Sequence, residues 1–300
     1  MREAILRTLA YFDIVDYPLS GFEIWKLLRR DEPCSYGELI RELSSPALAE
    51  VVERADGFWF LRGRVATVAL RQERYRIAER KYRRVRRALG FLRLIPSIRM
   101  VAICNTLAWS HSHDDADIDL FVVTKPGALW WSRLLAVSPF ALFALRPQHT
   151  RARDLFCFSF FATERALDLA SVKILPDDPY LLYWIASLVP LYDPDGLIEA
   201  LWDANQWMAQ ILPNAYAVRP SARRRVSSLL RIPAGLDDGH GPLESMARAI
   251  QLAHLPRELR TIMNLDERVI VTDELLKFHE NDRRKEFHKQ YAERCGALGV

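Results

Sequence analysis

The sequence predicts an α+β fold, on two observations. Three runs rich in β-branched and aromatic residues follow one another in the middle of the chain, at 97–104, 116–124 and 154–161, and such runs are typical of strands. Segments with helix start signals, or with apolar residues at helical spacing, come before and after these runs. We therefore expect a β-sheet core between an N-terminal and a C-terminal region that are mainly helical.

The first 68 residues predict a module of three short helices and a hairpin. Apolar residues share one face of a helix over 2–13, and Ser-x-x-Glu capping boxes begin two more helices at Ser20 and Ser35. Residues 57–65 predict a β-hairpin. This order resembles a winged helix. Such modules often bind DNA, but many serve as contact modules for other proteins. The third helix is poor in side chains that read bases, which favours a structural or protein-binding role.

A long basic helix is predicted over 69–94. Its apolar residues follow a four-three spacing that makes one continuous seam. Arginines flank the seam at Arg76, Arg80, Arg83, Arg84 and Arg87. They form either the solvated face of a connecting helix or a surface that contacts nucleic acid phosphates.

Two acidic residues stand at the start of the second strand. Asp117 and Asp119 lie two positions apart, so their side chains point to the same face. Two carboxylates at the entrance to an apolar strand repel each other and resist burial, and a divalent cation relieves both effects. Carboxylate oxygens suit Mg²⁺, which usually binds one or two of them together with substrate phosphates.

A polar turn follows the first strand of the core. Asn105 and Thr106 come directly after the apolar run and are good helix N-cap residues, and the start of a helix offers free backbone N–H groups to an anion. The order is therefore strand, turn, short helix, loop and acidic strand.

This order resembles the DNA polymerase beta-like nucleotidyltransferase superfamily, whose motif is a Gly-Ser turn at a helix start followed by Asp-x-Asp on the next strand. Asn105-Thr106 stands where that motif has Gly-Ser, and glycine allows a closer approach of the phosphate than asparagine does. The resemblance implies a small mixed sheet, a nucleoside triphosphate as substrate, and Mg²⁺ or Mn²⁺ held by Asp117 and Asp119.

The resemblance also implies a third carboxylate on a neighbouring strand. Asp154 is the candidate, since it opens the third strand-like run; the alternative is a strand-edge acid paired with an arginine. Asn105 and Thr106 are expected to hold the phosphates. Lys125, at the end of the acidic strand, either reaches a phosphate or is simply solvated.

A more specific resemblance covers nearly the whole chain. The sequence is similar to an uncharacterised bacterial family with an N-terminal winged-helix-like region, a nucleotidyltransferase core and a helical tail. The residues that carry it are Leu9–Asp13, Tyr17–Leu19, Asp117–Thr124, Asn205–Trp207, Leu212–Asn214, Leu276–His279 and Asp282–Arg284. The expected divisions are a winged-helix-like module (1–68), a connecting helix (69–94), the nucleotidyltransferase core (95–165) and a helical C-terminal region (166–300).

The resemblance implies transfer of a nucleoside monophosphate from a nucleoside triphosphate to an acceptor hydroxyl, on a protein, a small molecule or an RNA. Two alternatives remain open. One is a protein of the same fold that binds nucleotide or a partner without turnover, and the other is a nucleic-acid-binding regulator. In the helical tail, Asp178-Pro179 and Asp193-Pro194 predict helix starts. His279 is expected to be a surface residue rather than a base.

Composition fits an ordinary globular protein, with 50% hydrophobic residues, 27% charged residues and a net charge of +4. The four cysteines are far apart and form no Cys-x-x-Cys pair, which together with a start that lacks a signal-peptide pattern predicts a cytoplasmic protein. The apolar stretch 128–145 contains Arg133 and Pro139. We expect it to be a buried helix rather than a membrane span.

Overall fold

The computed structural model describes residues 1–147, 151–228 and 241–300. These residues form a mixed six-stranded sheet, a separate three-stranded sheet and helices around both. The predicted α+β class is thus confirmed.

The N-terminal part folds around the three-stranded sheet, whose strand order is β1-β3-β2. Its elements are α1 (Arg2–Asp13), β1 (Leu19–Ser20), α2 (Gly21–Lys26), α3 (Tyr36–Leu43), α4 (Pro46–Ala49), β2 (Val52–Ala55) and β3 (Phe58–Leu61). Both predicted capping boxes are present, at Ser20 with Glu23 and at Ser35 with Glu38.

The hairpin lies earlier than predicted. Its strands pair across a two-residue turn at Asp56 and Gly57, and both turn residues have positive φ, +49° and +83°. Asp-Gly suits such a turn because its backbone twist matches that of the flanking strands. Residues 57–65 therefore contain only the second strand, and the chain then enters the long helix.

The middle of the chain supplies the long helix and the central strands of the large sheet. Its elements are α5 (Ala66–Leu92), β4 (Ile98–Ile103), α6 (Asn105–Ala108), β5 (Ile118–Thr124), α7 (Leu129–Leu142) and β6 (Phe156–Thr163). β4 pairs with β5 in antiparallel fashion, and β5 pairs with β6 in parallel fashion. The three predicted strands thus lie side by side.

The C-terminal part is less helical than predicted, because it completes the large sheet. Its elements are a 3₁₀ turn (Ala170–Val172), α8 (Pro179–Ser187), β7 (Val189–Tyr192), α9 (Leu197–Ala204), α10 (Trp207–Ile211), α11 (Gly241–Ala253), α12 (Arg257–Thr261), β8 (Val269–Val271), β9 (Leu275–Phe278) and α13 (Arg284–Ala297). The strand order is β7-β4-β5-β6-β9-β8. Three of the six strands therefore come from 166–300. Each has three or four residues, too few to show a period in the sequence.

The two Asp-Pro pairs behave differently. Asp178 caps α8 with Pro179 in its first turn, as predicted. Asp193 lies four residues before α9, and its carboxylate accepts hydrogen bonds from the backbone N–H groups of Leu197 and Ile198 at 2.7 and 3.1 Å.

The large sheet is covered on both faces. One face packs against α1 and α8, and the other packs against the apolar seam of α5 and against α7 and α11. Within the described ranges no helix has both the length and the apolar character that crossing a bilayer requires. The apolar stretch that includes Arg133 forms α7, whose neighbour is α11.

Candidate metal centre

Three potential ligands meet where β5 and β6 begin. Asp119 lies on β5, Asp117 immediately precedes that strand, and Cys157 on the parallel strand β6 is the register partner of Asp119. One ligand atom from each of these side chains lies within 4.8 Å of the other two. The structure therefore brings the two predicted carboxylates together, and it adds a thiol that sequence reasoning missed.

The two carboxylates resist ionisation. Burial, and then repulsion from Asp119, raises the pKa of Asp117 to about 7. Burial also raises the pKa of Asp119, although a hydrogen bond from Asn105 opposes that shift. A divalent cation between them would favour the ionised form of both.

Cys157 adjoins this pair. Burial and the two nearby carboxylates raise the pKa of its thiol far above the usual range, so the sulfur is protonated. A protonated thiol adds no charge beside the two acids.

The predicted turn adjoins the carboxylates. Asn105 has a positive φ of +57°, its side-chain amide donates to Asp119 Oδ2 at 2.7 Å, and its side-chain oxygen accepts a bond from Tyr180 at 3.1 Å. Thr106 follows it, and both residues line the same cavity as the acids. The helix that begins here, α6, has only four residues, so its dipole can contribute little.

The acids lie in a cavity of about 660 Å³ whose far wall is charged. That wall comes from β9 and the start of α13, and it holds Lys277, Asp282, Arg283 and Arg284. Asp282 accepts hydrogen bonds from Lys277 at 3.0 Å and from Arg284 at 2.9 Å. Burial, and then repulsion from Arg284, lowers the pKa of Lys277 to about 8. Lys277 and Arg284 are thus held in place in the same cavity as the carboxylates.

Aromatic side chains form another part of the wall. Phe160 stacks on Trp184 with ring centroids 5.4 Å apart, and Tyr180 meets the edge of Phe287 at 5.3 Å. All four line the cavity. The cavity therefore combines acidic, cationic and aromatic surfaces.

His279 lies in this cavity, not on the outer surface where it was expected. Its Nε2 atom is 3.2 Å from the Ser159 hydroxyl, and its Nδ1 atom is buried without a hydrogen-bond partner. Burial, and then the charge of Lys277, lowers its pKa to about 3, so the ring is neutral at physiological pH. No local pattern predicts this placement, because His279 reaches the site only through the pairing of β9 with β6.

Asp154 lies apart from the other two acids. It has a positive φ of +59°, and its carboxylate pairs with Lys81 at 3.2 Å and with Arg80 at 3.1 Å. It is not among the residues that line the cavity. The arrangement matches the alternative interpretation, a strand-edge acid paired with cations. The residue of β6 that lies beside Asp119 is Cys157 instead.

Lys125 also lies away from the cavity. It follows the last residue of β5, and its backbone N–H donates to the Ser97 carbonyl just before β4. Asn105 and Asp119 lie toward the other ends of these two strands, so the structure does not bring Lys125 together with the acids.

The arginines of α5 divide into two groups. Arg80 pairs with Asp114 and Asp154, and the guanidinium of Arg84 lies over the ring of Phe156. Arg76, Arg83 and Arg87 are exposed. Only this second group has the exposure that a nucleic-acid surface requires.

Comparison with protein-family models, with curated proteins and with solved structures found no match.

Proposed function

We propose that the protein is a metal-dependent nucleotidyltransferase that moves a nucleoside monophosphate from a nucleoside triphosphate to an acceptor hydroxyl. The observation that carries this proposal is the pair formed by Asp117 and Asp119, half-buried with raised pKa values in a cavity that also has cationic residues in its wall. Such a pair has little structural purpose without a cation, because burial and repulsion both oppose its charge.

The residues suit Mg²⁺ or Mn²⁺. Asp117 and Asp119 offer two hard oxygen donors close together, and the cavity leaves room for substrate phosphates. A cation held there would neutralise phosphate charge and polarise the bond to the transferred phosphoryl group.

The chain's own residues account for substrate binding. Lys277, Arg283 and Arg284 line the same cavity as the acids, and their charges favour phosphate binding there. The Asn105 amide keeps Asp119 oriented, and Thr106 lines the same cavity. The paired rings of Tyr180 and Phe287 offer a surface on which a base can stack.

The order of elements supports a more specific assignment of the fold. β4, α6 and β5 carry the turn and the acids, and the parallel strand β6 carries the adjacent ligand. We infer that these elements form a nucleotidyltransferase-like core. We also infer that α1 to α3 with the three-stranded sheet form a winged-helix-like module.

The test is label transfer. The full chain is incubated with each α-labelled nucleoside triphosphate, Mg²⁺ or Mn²⁺ and cell extract, and the labelled species are identified. We expect label on an acceptor together with release of pyrophosphate, and loss of both in Asp119→Asn. Asp115→Asn is the matched control, since Asp115 is exposed and does not line the cavity. Absence of label with every nucleotide would count against transfer.

Cys157 favours a second candidate, nucleotide binding without turnover. A neutral thiol stands on β6 beside Asp119, and Asp154 is held by Lys81 and Arg80. Among the residues that the structure describes, no third carboxylate joins Asp117 and Asp119 to take a proton from the acceptor. Cation-dependent binding of a nucleoside triphosphate with no release of pyrophosphate would support this candidate instead.

A further inference from the structure

Cys157 lies close enough to Asp117 and Asp119 to share a cation with them. Its Sγ atom and one oxygen from each of Asp117 and Asp119 lie within 4.8 Å of one another. The protonated thiol therefore lies beside both carboxylates. A metal ion bound by the acids would replace that proton.

We propose that Cys157 is the third protein ligand of the cation, and that the site selects a thiophilic divalent ion such as Zn²⁺ over Mg²⁺. The inference deepens the proposed function, and it rests on that proposal for the position of the cation. It assigns a metal class that the two carboxylates alone do not indicate.

The ligand set argues for this class. Mg²⁺ takes oxygen ligands and discriminates against sulfur, whereas Zn²⁺ binds cysteine and aspartate in the same site. Three protein ligands with a further position open to water or substrate are typical of catalytic zinc. Asp117 and Asp119 line the cavity, so a cation held by them would be accessible to water or substrate from that side.

Residues behind the ligands support the same geometry. Asn105 donates to Asp119, and Tyr180 in turn donates to Asn105. The hydroxyl of Ser159, two residues after Cys157 on β6, lies 3.2 Å from His279 Nε2. Hydrogen bonds of this kind fix the orientation of ligands and tune their basicity.

The binding step balances without a co-reactant. The metal–sulfur bond forms as the Cys157 thiol loses its proton to solvent, and the carboxylates bind in their ionised form. No electron is transferred, so the step requires neither an oxidant nor a reductant.

The experiment is a titration of the full, metal-free chain with Co²⁺, which reports cobalt–thiolate bonds by near-ultraviolet absorption. We expect the thiolate band to appear at one equivalent, and Zn²⁺ to displace it at lower concentration than Mg²⁺. Cys157→Ser should abolish the band and weaken Zn²⁺ binding by roughly 10- to 100-fold or more, with Mg²⁺ affinity unchanged. Cys34→Ser is the matched control, because Cys34 is not one of the three candidate ligands. Its sulfur accepts a hydrogen bond from the side-chain amide of Asn214 instead.

A second variant covers the case in which Cys157→Ser does not fold. Cys157→Asp replaces sulfur by a hard oxygen donor and should shift selectivity toward Mg²⁺. A thiolate band that persists in Cys157→Ser, or a Zn²⁺ affinity that is unchanged in both variants, would overturn the inference.

The outcome is separable from that of the proposed function. Label transfer with Mg²⁺ and no thiolate band would retain the transferase and reject the cysteine ligand. A thiolate band with no transfer of any nucleotide would retain the metal site and reject the transferase.

Discussion

The side-chain amide of Asn105 donates a 2.7 Å hydrogen bond to Asp119 Oδ2. This bond ties the turn after β4 to the acid on β5, and it opposes the rise in the pKa of Asp119 that burial causes. Asn105 also has a positive φ of +57°, a region that asparagine tolerates better than most residues and glycine tolerates best. One residue therefore sets both the shape of the turn and the state of a ligand.

The first prediction separates these two roles of Asn105. Asn105→Gly and Asn105→Ala both remove the amide, but only alanine places a Cβ atom at positive φ. We expect Asn105→Ala to be less stable than Asn105→Gly by roughly 1 kcal/mol in urea unfolding. Both variants should bind the cation more weakly than the native chain by a similar factor, since both lose the bond to Asp119. Equal stability of the two variants would show that the left-handed turn is not retained.

The second prediction concerns pH and Asp117. Its pKa in the folded chain is about 7, against an ordinary value of 3.8. A carboxyl group with a raised folded pKa stabilises the protein below its unfolded pKa, and that contribution is lost as pH rises through the folded pKa. Without a cation, the native chain should therefore lose stability relative to Asp117→Asn between about pH 4 and pH 7.

The measurement is the free energy of unfolding of both proteins across that pH range. At pH 8 we expect Asp117→Asn to be more stable than the native chain by roughly 1–2 kcal/mol. This difference is smaller than the full pKa shift of Asp117 implies at 1.36 kcal/mol per pKa unit, because the two acids titrate together. A saturating divalent cation should reverse the order, since it binds only the native pair tightly. Curves that stay parallel at every pH would contradict the raised pKa.

Local signals in the sequence predicted the elements that carry the acids and the turn. Asp117 and Asp119 share a face because of strand geometry alone, and the capping boxes at Ser20 and Ser35 depend on neighbouring residues. Each of these features is fixed within a few residues of chain. No knowledge of partners elsewhere in the sequence is needed for them.

The third ligand could not be predicted in the same way. Which residue of β6 faces Asp119 depends on the register of a parallel pair, and the register of this pair shifts by one residue just after Cys157. Asp154 stands at the start of that strand-like run, so its charge suggested a ligand, whereas the structure pairs its carboxylate with Lys81. His279 and the cationic wall reach the site through β9, a strand of four residues that lies more than a hundred positions after β6 in the sequence.

The third prediction concerns the buried cation that holds the loop before β5. Lys81 is fully buried, pairs with Asp154 at 3.2 Å and donates to the backbone carbonyls of Asp114 and Ala116. We expect Lys81→Met to destabilise the chain by about 2–3 kcal/mol, less than the roughly 3–5 kcal/mol of a fully buried broken pair, because Arg80 still neutralises Asp154. Denaturant unfolding measures this change.

The companion variant tests the role of Asp154 itself. Asp154→Asn keeps the loop bonds of Lys81 and changes no residue that lines the cavity. It should retain cation binding and any nucleotidyl transfer, whereas Asp119→Asn loses both. If Asp154→Asn lost cation binding in the Co²⁺ titration, Asp154 would have to be counted as a ligand of the cation.

The fourth prediction concerns the cationic wall. Lys277 is buried, and its pKa is lowered to about 8, so it loses its charge as pH rises through that value. We expect the affinity for a nucleoside triphosphate to fall as pH rises from 7 to 9. Lys277→Met should weaken triphosphate binding by roughly tenfold or more, the effect of one lost hydrogen bond to a charged group, and should remove most of this pH dependence.

Asp282 remains neutralised in the Lys277→Met variant by Arg284 at 2.7 Å, which preserves the cationic wall. Lys289→Met is the matched control, because the side chain of Lys289 is 78% exposed. Calorimetric titration with a non-hydrolysable triphosphate at each pH measures the affinity. If the Lys277→Met variant kept the pH dependence of the native chain, the charge of Lys277 would not govern binding, and Lys277 would not contact the phosphates.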